Sequence, residues 1–191
     1  IISPYDSRDY RGLTLENGLN VLLVSDPEAD KAAASMNVRV GSAQDPDDLK
    51  GLAHFLEHML FLGTEPYPES DAYQRYISNN AGSHNAFTAQ QDTNYFFDIE
   101  PSAQLLNPDT PTTGFAVGSR KTLASPPEGE ATLRERVIDF YHQHYDANVM
   151  NLAIVAPQPL NQLEEWVAER FADIPDNDLS VPTIDAPLVD S

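Results

Sequence analysis

The chain has 191 residues, 41% of them hydrophobic, which is enough for one domain with a real core and too few to require two. Thirty Asp and Glu against eleven Lys and Arg give a formal net charge of −19, which repels a phosphate backbone and argues against nucleic acid as a partner. The absence of cysteine excludes disulfides and thiolate metal sites, so a transition metal here would have to be held by His and carboxylate.

In chain order, "YRGLTLENGLNVLLVSD" reads as two strands, over 10–15 and 19–25, joined by a hairpin at Asn17-Gly18, a dipeptide that tolerates positive φ. "AAASMNVRVGS" alternates, with Met36, Val38 and Val40 on one face, as a half-buried strand does. A cluster at Asp45, Asp47 and Asp48 reads as solvated surface. A helix is expected over 51–62, stopped by Gly63, and a second, amphipathic one over 69–79. "HNAFTA" and "TNYFFDIE" follow as two strands with a polar turn over 90–92. The stretch 103–128, with four prolines, reads as a long irregular loop. After it come a helix over 131–145, a buried strand in "NVMNLAIVAP" and a helix in "PLNQLEEWVAERFADI". No apolar run approaches the roughly 20 residues that span a bilayer. The pattern predicts an α+β fold, a mostly antiparallel sheet with helices packed on one face, organised as one domain over 1–175 and a Pro-rich acidic tail over 176–191.

The chemistry concentrates in "GLAHFLEHMLFLGT". On a helix, His54 and His58 stand one turn apart and Glu57 falls on the same side. The other positions from 52 to 62 are apolar, so the helix is expected to be buried nearly all round. Burying a carboxylate and two imidazoles without a partner costs several kcal/mol, on the order of what a natural domain tolerates only for a metal, a counter-charge or catalysis. One zinc ion is the economical reading: His54 and His58 as ligands, and Glu57 beside the open position as the general base that takes a proton from an attacking water and passes it to a leaving amine. H-x-x-E-H is the inverzincin order of the metallopeptidase pattern H-E-x-x-H. Two core histidines satisfied by backbone carbonyls are the bland alternative.

The segments "RGLTLENGLNVLLVSDP", "AAASMNVRVGS", "GLAHFLEHMLFLGTEPYP", "NNAGSHNAFT", "TNYFFDIE", "FYHQHYDANVMNLAIV" and "FADIPDNDLSVP" resemble, in order, the first domain of the pitrilysin/insulysin zinc metallopeptidases. The resemblance implies a zinc-dependent endopeptidase domain acting on peptides, with His54 and His58 on the metal, Glu57 as base, and the strand carrying Asn85, Ala86 and Phe87 pairing with an extended peptide substrate. It implies no metal role for His84 or His142. It also implies partner domains of the same assembly and, by analogy with a bacterial enzyme, a periplasmic location. The family's third ligand is a glutamate within a two-helix stretch of several dozen residues after the "FFDIE" strand, and nothing here matches that stretch. The join falls near 103–106. Glu128, Glu130 and Glu135 are replacements by position only, because "PPEGEATLRER" resembles a different family segment. The rival readings are a non-catalytic partner domain that keeps the fold for protein interaction, and a purely structural metal module.

Overall fold

The computed structural model describes residue 3 and residues 5–63, 68–101 and 132–180; the loop expected over 103–128, and Glu128 and Glu130 with it, lies outside the described residues. Strands β1 (Asp9–Thr14) and β2 (Asn20–Ser25) form the expected antiparallel hairpin. Gly18 closes it with a φ of 81°, and the Leu15 amide donates to the Leu19 carbonyl at 2.9 Å. Strand β3 (Ala32–Val38) keeps strict alternation, with Ala32, Ala34, Met36 and Val38 buried. Helices α1 (Leu52–Met59) and α2 (Ala72–Asn79) precede strands β4 (Ser83–Thr88) and β5 (Thr93–Ile99). Helix α3 (Leu133–His144), strand β6 (Met150–Ala156) and helix α4 (Leu160–Phe171) follow.

The six strands form one sheet in the order β1-β2-β6-β3-β5-β4. Only the β2–β6 pairing is parallel; the other four are antiparallel, as the sequence predicted. Inner-face side chains such as Leu23, Met36, Phe97 and Ile154 meet Leu56 of α1, Ile77 of α2, Phe140 of α3 and Val167 of α4 in one continuous core. On the opposite face Leu22 and Phe96 remain exposed, in one register row with Ala153 and Ser35 between them. The helices therefore cover a single face of the sheet.

Polar contacts fix the helix ends. Helix α3 starts in a capping box: Thr132 Oγ1 accepts the Glu135 amide at 3.3 Å, and Glu135 Oε2 accepts the Thr132 amide at 2.8 Å. Arg136 makes a two-pronged bond to Asp48 at 2.7 and 2.8 Å, tying α3 to the segment before α1. The chain after α4 is strapped to the body. Asn17 Nδ2 donates to the carbonyls of Phe171 and Ile174 at 2.8 and 3.0 Å, the Ala147 amide donates to Pro175 at 2.9 Å, and buried Asp146 accepts Asn177 Nδ2 at 2.9 Å.

Candidate metal centre

Helix α1 begins at Gly51, whose φ of 92° is left-handed and which has no side chain to cap the first turn. The cap comes from upstream: Asp45 Oδ2 accepts the Gly51 amide at 2.7 Å and Oδ1 accepts the Ala53 amide at 2.8 Å. Asp45 is only 7% exposed, so it is a buried cap and not the solvated surface residue that its acidic neighbourhood implied. A carboxylate fits there because the first-turn N–H groups lack partners and the helix N-terminus carries partial positive charge.

Helix α1 rests on β4, β5 and α3. Leu52, Ala53, Leu56 and Glu57 are buried, whereas His54, Phe55 and His58 are exposed. This corrects the expectation of a helix buried nearly all round: one helix laid on a sheet edge meets protein over about half its circumference, and the apolar Phe55 and Leu62 face outward. The desolvation therefore falls on Glu57, at 5% exposure, while the imidazoles stay accessible.

His54 Nε2 and His58 Nε2 lie 3.1 Å apart, with ring centroids separated by 4.7 Å. Adding the Glu57 carboxylate gives a set whose candidate ligand atoms all lie within 4.8 Å of one another. Two nitrogens each about 2.0–2.1 Å from a tetrahedral zinc stand about 3.3 Å apart, so the imidazole pair fits that ion. Thr88 Oγ1 donates to Glu57 Oε2 at 2.6 Å. The hydroxyls of Tyr95 and Tyr145 share a bond at 2.9 Å. Burial is the main cause that raises both phenols, Tyr145 to about 12 and Tyr95 well above its ordinary value, and the charge of Glu57 acts in the same direction. Both phenols are therefore neutral at physiological pH.

His84 stands apart from the trio, half-buried in an aromatic cluster, edge-on to Tyr73 at 5.1 Å and 5.5 Å from Phe61. Burial lowers its pKa. His144 packs on Phe140 at 4.5 Å. Neither joins a metal-binding group among the described residues, nor does His142. Glu135 is committed to the α3 cap. Asn85, Ala86 and Phe87 lie on β4, which runs beside α1 and among the described residues is an edge strand pairing with β5 alone; Asn85 and Phe87 are exposed and Ala86 is half-buried. Sequence reasoning missed Thr88 and Asp45. The alternation His84, Ala86, Thr88 carried the one available signal for Thr88, placing it on the face of β4 that turns inward.

Residues 20–107 match the family model described as Insulinase (Peptidase family M16), and residues 132–190 match that of the Peptidase M16 inactive domain. The chain belongs to the insulinase (M16) peptidase family. Both matched stretches of this M16 chain build the same sheet, since β6 lies between β2 and β3. The chain is similar to insulin-degrading enzyme-like 2 of Arabidopsis thaliana, at 37% identity over 227 residues, covering 93% of this chain and 24% of that protein. It is also similar to the insulin-degrading enzyme of Drosophila melanogaster, at 36% identity, covering 94% of this chain and 23% of that protein. The crystal structure of pitrilysin superposes with a TM-score of 0.80 at 31% identity, over 98% of this chain and 25% of that one. The M16 chain thus spans about a quarter of the length of the relatives it matches. In the Arabidopsis match, 227 aligned positions stand against 93% of 191 residues, about 178, so about 50 positions of the relative have no counterpart here. That agrees in size with the several dozen residues expected to be missing. No helix among the described residues is long and apolar enough to cross a membrane.

Proposed function

We propose that this M16 chain is the zinc-binding domain of an endopeptidase, with His54 and His58 holding one zinc ion, Glu57 acting as the general base, and the β4 edge at Asn85, Ala86 and Phe87 aligning an extended peptide. The reading is carried by the 3.1 Å approach of two accessible imidazole nitrogens beside a buried carboxylate. When bound, zinc supplies Lewis acidity toward a water molecule and the scissile carbonyl. Glu57 accepts the proton of the attacking water at a carboxylate oxygen and returns it to the nitrogen of the leaving amine. The edge of β4, unpaired among the described residues, offers backbone donors and acceptors to the substrate, while exposed Asn85 and Phe87 flank it. The relatives' names, insulin-degrading enzyme and its like, support peptides as the substrate class. Residues 1–175 are read as one unit and 176–191 as a link toward further domains of the same assembly, a reading supported by the chain's quarter share of its relatives' length. The periplasmic location expected from the resemblance gains no support from these relatives.

A second reading, a partner domain that keeps the fold without the chemistry, is favoured by one observation: among the described residues no further His, Asp or Glu joins the trio. Glu57→Gln separates the two. Under the first reading, zinc content measured by atomic absorption stays at one ion per chain in both proteins, and cleavage of an unstructured peptide falls at least about 100-fold in the variant. Equal turnover in variant and parent rejects the base assignment. One bound zinc with no turnover in either protein selects the second reading.

A further inference from the structure

The base is held from a different element. Thr88 is the last residue of β4, 31 positions beyond Glu57, and its hydroxyl donates to Glu57 Oε2 at 2.6 Å, a length typical of a hydroxyl bound to a carboxylate. Little at Thr88 can shift. Its partner across the ladder, Thr93, is fully buried and donates its own hydroxyl to the Val40 carbonyl at 2.8 Å. The next residue, Ala89, donates its amide to the Asp92 carbonyl at 2.7 Å and accepts the Ser42 amide at 2.9 Å. A β-branched side chain on such a backbone has few rotamers open to it. Glu57, by contrast, reaches the site through three rotatable bonds.

We propose that Thr88 is a positioning residue: by anchoring Oε2 it fixes the Glu57 carboxylate beside the His54 and His58 nitrogens and leaves the second oxygen free for proton transfer, and it does so from the strand on which a peptide would dock. The proposal rests on the reading of Glu57 as the base. Its consequence is that base and docking edge share one rigid frame. A proton acceptor held by β4 keeps its distance to a peptide bond lying along β4, which is the geometric condition for efficient transfer.

Thr88→Val removes the hydroxyl while keeping the shape, and Thr88→Ser keeps the hydroxyl. In crystal structures of the full chain, Glu57 should hold one side-chain conformation in the parent and in Thr88→Ser, and should spread over two or more in Thr88→Val. Zinc affinity, measured by competition with a chromophoric chelator, should stay within about twofold in all three, because neither imidazole touches the change. Peptide turnover should show kcat lowered about 10- to 100-fold in Thr88→Val with KM nearly constant, and kcat within about threefold of the parent in Thr88→Ser. An undisturbed Glu57 in Thr88→Val overturns the proposal, as does a Thr88→Ser protein as slow as Thr88→Val. Should the parent itself show no turnover, the side-chain conformations alone decide on Thr88, and the missing activity counts against the endopeptidase reading instead.

Discussion

Gly82, one residue before β4, has room for a hydrogen and nothing larger. A Cβ there would lie 2.1 Å from the Asp98 carbonyl oxygen, 2.7 Å from Ile99 Cγ2 and 3.0 Å from Ile77 Cγ2. The first contact is backbone of β5, which cannot swing aside as a side chain can. Gly82→Ala is expected to destabilise the chain by about 2–3 kcal/mol, read as a lower urea midpoint at unchanged slope. Gly12→Ala is the control: nothing lies within 4 Å of its added methyl, so its effect should stay within about 0.5 kcal/mol. At the same scale, the trio of His54, Glu57 and His58 divides its burdens unequally. Glu57 bears the burial and has a hydroxyl partner, whereas the two imidazoles remain open to solvent and to an incoming ion.

Helix α1 has eight residues, fewer than an isolated helix needs to persist in water. Its persistence comes from packing and from the Asp45 carboxylate, whose two oxygens satisfy two amides of the first turn. Asp45→Ala should cost about 1–2 kcal/mol of stability by chemical denaturation. Amide exchange at Gly51 and Ala53 should accelerate more than at residues of α4. Asp45→Asn should lose less, since one acceptor oxygen survives. Because α1 carries His54, Glu57 and His58, this cap is the nearest thing the candidate site has to a foundation. How much of this was readable in advance depended on distance along the chain. The trio was legible because a spacing of four on a helix is a local property that one segment defines. The Asp45 cap was not, because Gly51 interrupts the usual Ncap spacing. The Thr88 contact was not either, since it joins elements 31 positions apart.

Across the whole molecule the sequence predicted strands, helices and their one-sided packing, each from its own periodicity. It left the strand order open, because nothing local marks β6 as the neighbour of both β2 and β3. The solvent-facing side of α1 was misread for a related reason: a helix can be apolar on a side that no other element reaches. Charge state links the whole fold to pH. His84 and His144 both have pKa values lowered by burial, in pockets lined by aromatic rings. Below the unfolded-state value of about 6.5 the unfolded chain takes up protons that the folded chain resists, so stability is full above that pH and is lost as pH falls through the lowered values. With a chelator present to keep zinc out, the urea midpoint should drop between pH 7.5 and 5.5. In the double variant His84→Gln/His144→Gln that drop should be smaller. Asp48 and Asp98, lowered chiefly by bonds to Arg136 and Lys31, give up their contribution only in more acidic solution, so they leave this window untouched.

The position of β6 imposes an order on biosynthesis. While residues 150–156 are still inside the ribosome, β2 and β3 each present a bare hydrogen-bonding margin, and among the described residues no earlier strand fills the gap. The sheet is zipped shut by β6, joining partners more than a hundred residues apart in sequence, which makes closure slow. Translation that stalls before that strand emerges yields a half-open sheet prone to clump with its own kind, a natural client for chaperones.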